Sequence, residues 1–162
     1  MPSALHSLKS TARTVAYSAF GKLPPRVRRG LVGVLTPSFT VGALAILHDG
    51  DKILFVRQLH RPGLALPGGL LKKGESARTG LARELSEEIG VDPTGLAPAP
   101  DTAHVDPAKK RVDLIWLLPT DRQQVEVATG SEVLSYEWRT AADGELTPQT
   151  KEILAGIASR LP

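Results

Sequence analysis

The sequence predicts an α/β chain with a helical N-terminal extension, and three observations carry that prediction. Two apolar runs, 41–47 and 52–58, flank a His48-Asp49-Gly50-Asp51 turn, the pattern of a β-hairpin. Residues 77–89 read as a helix between a cap at Ser76 and a C-cap at Gly90. Further strand-like runs at 102–105, 112–118 and 133–139 precede a terminal helical pattern.

The extension comes first. Leu5, Leu8, Ala12, Val15 and Ala19 recur at three- and four-residue spacing, which predicts a helix over 3–20. Pro24-Pro25 breaks that pattern, Pro25 starts a second helix to about Leu35, and Pro37 ends it. After the hairpin, Arg61-Pro62-Gly63 and Pro67-Gly68-Gly69 punctuate a loop that leads to the helix at 77–89. Gly80, inside that helix, costs about 1 kcal/mol relative to alanine and therefore predicts a close packing contact. Asp106-Pro107-Ala108-Lys109 reads as a turn between strands. Thr147-Pro148 opens the last helix, expected to run through Arg160, with threonine as cap and proline at the first helical position.

A length of 162 residues suits one domain with a sizeable core, and 41% apolar with 23% charged residues is ordinary for a globular protein. The absence of cysteine excludes disulfides, thiolate catalysis and zinc–thiolate sites. No apolar run approaches the ~20 residues of a membrane span, and a cytoplasmic protein is expected. Charge divides the chain. No acid precedes Asp49, whereas Lys9, Arg13, Lys22, Arg26, Arg28 and Arg29 all lie there, and the rest carries 14 basic against 17 acidic residues. The boundaries expected are a basic helical extension at 1–38 and a second domain at 39–162.

Chemistry concentrates between residues 69 and 91. Gly69 is followed after five spacers by Glu75, after seven more by Arg83-Glu84-Leu85, and then, one spacer apart each time, by Glu87-Glu88 and Gly90-Val91. Glu84, Glu87 and Glu88 share one helix face at i, i+3 and i+4, where like charges destabilise by roughly 0.2–0.5 kcal/mol per pair. A hard divalent ion converts that penalty into a binding site, because Mg²⁺ and Mn²⁺ prefer carboxylate, carbonyl and water oxygens.

The segment resembles the signature box of the Nudix hydrolases at every specified position, with weaker likeness from about Phe39 to Arg160. The resemblance implies an α/β/α sandwich with a mixed sheet, and Mg²⁺-dependent hydrolysis (Mn²⁺ as substitute) of a nucleoside diphosphate linked to another group. It implies metal ligation by Glu84, Glu87, Glu88 and the Gly68 carbonyl, with Gly69, Arg83 and Glu75 orienting them. Leu85 and Val91 fall at core positions. It further implies attack on phosphorus by a metal-activated water, with the general base either Glu84 or a distal glutamate for which Glu132 stands at the expected place; Glu137, inside the strand, is a further alternative. Arg57, at the end of the strand before the active-site loop, is the residue the resemblance turns toward the substrate phosphate, with His60 and Arg61 behind it. His104 and Trp116 read as packing residues.

Substrate alternatives are a nucleoside triphosphate and an ADP-ribose-like molecule. Pro107, sixteen positions after Val91, has the spacing associated with ADP-ribose hydrolases, and an Asp-Pro hairpin turn explains it equally well. A non-catalytic ligand-binding domain is the rival reading, although its usual mark, a lost box glutamate, is missing. An RNA 5′-end pyrophosphohydrolase is another, with the basic extension as its footprint. Few aromatics weigh against extended RNA binding. A small nucleotide is the expected partner, and homodimerisation stays open.

Overall fold

A computed structural model of the chain describes residues 14–15, 17–92, 95–123, 125, 127–128 and 132–161. Two compact units divide it, Met1–Ser38 and Phe39–Pro162. In the first unit residues 14, 15 and 17–22 are helical, and helix α1 spans Pro25–Leu35 with proline in its first turn. Most of the helix expected at 3–20 lies outside the described residues.

The second unit is built on one seven-stranded mixed sheet. Its strands are β1 (Thr40–Asp49), β2 (Lys52–Gln58), β3 (Leu64–Ala65), β4 (Gly68–Leu70), β5 (Thr102–Asp106), β6 (Arg111–Pro119) and β7 (Val133–Arg139). The hairpin partners β1 and β2 pair next to their turn, at His48↔Ile53 and Asp49↔Lys52. Further along, β1 exchanges β2 for β4, at Gly42↔Leu70 through Leu44↔Gly68. Its other edge runs parallel to β6 from Thr40↔Arg111 to His48↔Pro119. β2, released from β1, takes β7 and β3 as neighbours.

Helices cover both faces. Helix α2 (Ala77–Ile89) starts at Ser76, whose hydroxyl accepts the Thr79 N–H, and stops at Gly90 in the left-handed region, φ 67°. Its Leu81, Leu85 and Ile89 recur every four residues and pack on Ala45, Leu54, Val56 and Trp116. Burial of each such side chain stabilises by about 1.5–3 kcal/mol relative to exposure. Helix α3 (Pro148–Ile157), capped by Thr147, packs Ile153, Leu154 and Ile157 on the opposite face against Ile46, Phe55, Leu64 and Ile115. Strands β1 and β2 are apolar on both sides because both of their sides are covered.

Two details differ from the sequence reading. The last helix ends at Ile157, where φ −118° and ψ 10° leave the helical basin, and a 3₁₀ turn covers Ala158–Arg160. The loop expected at 61–69 contains β3 and β4. Gly80 does make the close contact its position predicts: an added Cβ would lie 2.5 Å from Leu71 Cδ2 and 3.0 Å from Glu75 Oε2.

Candidate active site and metal centre

The site forms where β4 passes beneath α2. Strand β4 is pinned to β1 by its ladder and by Ala45 N–H donating to the Pro67 carbonyl at 3.0 Å. Gly68 has φ 122°, a conformation that disfavours any side chain, and a Cβ there would strike the Ala43 carbonyl oxygen. Its N–H donates to Glu88 Oε2 at 2.8 Å. Gly69 has an ordinary φ but no room, since a Cβ would lie 2.6 Å from Glu84 Cδ. Two consecutive glycines thus let two helix carboxylates rest directly on the strand.

Arg83 organises the acidic face. Its Nε and Nη2 donate to the two oxygens of Glu75 at 3.0 and 3.1 Å, the bidentate geometry that suits guanidinium and carboxylate. Its Nη1 donates to Glu84 Oε1 at 2.7 Å and to Glu87 Oε2 at 3.1 Å. Glu75 also accepts the Lys72 N–H at 2.8 Å, so it ties the loop to the helix. The Arg83 guanidinium, with the Lys72 N–H second, holds the Glu75 carboxyl down to about 2, and Glu75 in turn raises Arg83.

Glu88 is the buried member, and its second oxygen accepts Gln58 Nε2 at 2.7 Å. Burial pushes its pKa up against the pull of the Gly68 N–H and Gln58, and the charges of Glu84 and Glu132 push in the same direction. A buried carboxylate next to two others is costly without a cation nearby. Glu84, Glu87, Glu88 and Glu132 line one cavity of about 570 Å³, with Lys72 and Arg83 as its two cations. Glu132 reaches it because its own carbonyl accepts the Leu59 N–H at 3.1 Å, fixing the turn before β7 against the end of β2.

This donor set fits a hard divalent ion in chemistry and placement: oxygen ligands only, one of them desolvated, on a backbone opened by glycine. Among the described residues, no three acidic or histidine side chains already surround a common cation position. Arg83 holds Glu84 and Glu87, while Gly68 and Gln58 hold Glu88, and each of these carboxylate oxygens keeps a further lone pair for an ion.

Other residues singled out in the sequence lie elsewhere. Arg57 faces α3, as Phe55 does, because neighbours along a strand point to opposite faces and Gln58 points to Glu88. Its guanidinium donates to Glu145 at 2.8 Å and Glu137 at 3.4 Å. The structure does not bring Arg57 or Glu137 to the carboxylate cavity. Arg57 lines a separate hollow with His60 and Arg61. Trp116 is core, its indole N–H donating to the Ala97 carbonyl at 3.1 Å, and His104 stands 3.7 Å from Glu152. Pro107 occupies the β5–β6 turn, closed by Lys109 N–H and Nζ on the Asp106 carboxylate at 2.9 and 2.7 Å. Sequence reasoning missed Gln58 and Lys72. Gln58 was discoverable as the polar residue continuing the Leu54–Val56 core face.

No curated protein matches the chain significantly. Solved structures do. A nudix hydrolase family member from Chromobacterium violaceum is 22% identical with a TM-score of 0.62, over 77% of this chain and 80% of that one. A MutT NUDIX hydrolase from Burkholderia pseudomallei is 24% identical with a TM-score of 0.56, over 72% and 95%. A bifunctional NMN adenylyltransferase/ADP ribose pyrophosphatase from Francisella tularensis, complexed with AMP and a Mn ion, is 20% identical with a TM-score of 0.62; the match spans 82% of this chain but 45% of that one. These likenesses establish the fold. The NUDIX domain model matches residues 38–157, which includes every carboxylate of the cavity and both flanking helices, and on that match the chain belongs to the Nudix family of hydrolases.

Proposed function

We propose that the chain is a Mg²⁺-dependent pyrophosphohydrolase that cleaves the diphosphate of a nucleoside diphosphate linked to another group, with Mn²⁺ able to replace Mg²⁺. The observation that carries this reading is the convergence of Glu84, Glu87, Glu88 and Glu132 on one cavity beside the Gly68-Gly69 turn. Glu84, Glu87, Glu88 and the Gly68 carbonyl hold the ion. When bound, it neutralises phosphate oxygens and lowers the pKa of a coordinated water.

The protein's own groups do the rest. Gln58 and the Gly68 N–H aim Glu88 and keep its charge on the cavity side. Arg83 braces Glu84 and Glu87 against each other, and Glu75 keeps Arg83 from turning away. We assign the general base to Glu132, which accepts the proton of the attacking water. Glu84 is less suited, since its carboxylate is packed on Gly69 and bonded to Arg83, whereas no hydrogen bond engages the Glu132 carboxylate among the described residues.

The substrate is either an ADP-ribose-like molecule or a nucleoside triphosphate. A panel of ADP-ribose, nucleotide sugars, nucleoside triphosphates and 5′-triphosphorylated RNA, with nucleotide and phosphate readouts in Mg²⁺, separates them. Cleavage of a small substrate to a nucleoside monophosphate is the expected result. Ligand binding without any turnover across the panel would instead make this a binding domain, and turnover of the RNA alone an RNA-end enzyme.

A further inference from the structure

We infer that helix α1 is a docking surface for an anionic lipid bilayer, on which it lies flat. Val27, Leu31 and Val34 follow one another at i, i+4 and i+7 and form one apolar stripe, and Val32 is exposed off that stripe. The three stripe residues are open to solvent, with 48%, 40% and 85% of their surface exposed. Arg26 and Arg28 stand at the two margins of the stripe, and Arg29 lies away from it. An apolar strip bordered by cations, on a helix of low net hydrophobicity, is the composition that partitions to a membrane interface. No helix among the described residues is long and apolar enough to cross a membrane, so the contact is with one leaflet.

Charge selects the occupant. The first 48 residues hold six Lys and Arg and no acid, so the surface that covers the stripe must itself be negative. Pairing with the same helix of a second copy would cover the apolar strip, yet it would set like charges against each other. RNA would match the arginines and leave Val27, Leu31 and Val34 in water. An anionic bilayer satisfies both requirements, with the valines and leucine below the headgroups and the arginines among them. Tyr17, 68% exposed in the preceding helical stretch, is a residue type that favours the same depth.

Flotation of the full-length chain with vesicles tests this, comparing pure phosphatidylcholine with phosphatidylcholine containing roughly one-third phosphatidylglycerol. The chain should float with the anionic vesicles, not with the neutral ones, and the association should weaken as salt rises. Replacing Arg26, Arg28 and Arg29 by Gln should lower partitioning about a hundredfold, since each cation near an anionic surface contributes about fivefold. Leu31→Asp with Val34→Asp should abolish it even at low salt, with the catalytic unit's melting temperature unchanged. Three results would overturn the inference: no flotation, binding of RNA in place of vesicles, or a dimer in light scattering that Leu31→Asp dissociates.

Discussion

Substituting Gly69 by alanine adds one methyl group at the point where strand β4 carries a glutamate carboxylate. The backbone permits the change, because Gly69 is outside the positive-φ set. Space does not. The new Cβ would meet Glu84 Cδ at 2.6 Å, Oε1 at 2.7 Å and Oε2 at 2.9 Å. Ordinary carbon contact begins near about 3.4 Å, so strand or carboxylate must yield by roughly 0.8 Å. The strand is held by its ladder to β1, and Glu84 is the softer of the two, anchored by one 2.7 Å bond from Arg83. A displacement near 1 Å in a catalytic constellation costs on the order of 10²-fold, which corresponds to about 2.7 kcal/mol of barrier. The overpacking itself should cost stability about 1–3 kcal/mol. Steady-state hydrolysis across a Mg²⁺ titration reads the first effect, and thermal melting reads the second. The expected variant is folded, needs more Mg²⁺ and is about a hundredfold slower. A Gly69→Ala protein within about threefold of the parent in kcat/KM, at unchanged Mg²⁺ dependence, would refute the idea that Gly69 exists to seat Glu84.

The remaining predictions are of different kinds. Glu132→Gln should lower kcat by about 10²–10⁴-fold with little change in Mg²⁺ affinity, and a loss below about threefold returns the base to Glu84. Glu75 titrates at about 2 in the fold against 4.5 in its ordinary range, so its contribution is complete above pH 4.5 and is lost as pH falls toward 2. Glu75→Gln should accordingly flatten the loss of melting temperature over that acid window, and an unaltered acid profile would contradict the Arg83 pairing. Gly156 lies late in α3, where an added Cβ would meet nothing within 4 Å. Changing it to alanine should stabilise by about 0.5–1 kcal/mol, as denaturant melts would show.

Local signals in the sequence located the local features of this fold. Ser76 and Gly90 bracket α2 as cap residues do, and the glutamate spacing alone puts Glu84, Glu87 and Glu88 on one face. The packing reason for Gly80 was visible as a helix-breaking residue in a helix. What depended on distant pairing was not visible. Strands β3 and β4 are two and three residues long, and no periodicity exists at that length; they are strands because β2 and β1 offer them free edges. The same non-local geometry decided Arg57. Its place at the end of β2 was correct, but which face it takes depends on the sheet's partners, and those assign Gln58 to Glu88 and Arg57 to Glu145. Glu132 was singled out only through the family resemblance, with no local signal of its own, and it lines the same cavity as the helix glutamates.

The central claim is that the acidic cavity works by holding a divalent cation for diphosphate hydrolysis. Its most direct test measures nucleotide release from the best substrate of the panel by wild-type protein and by Glu88→Gln, each in Mg²⁺ and in excess chelator. Glu88→Gln preserves the size of the side chain and removes one charged ligand. Wild-type turnover should vanish in chelator and return with Mg²⁺ or Mn²⁺, and Glu88→Gln should be slower by about a hundredfold or more with its fold intact. Full turnover in chelator, or a Glu88→Gln protein as active as wild type, would contradict the account.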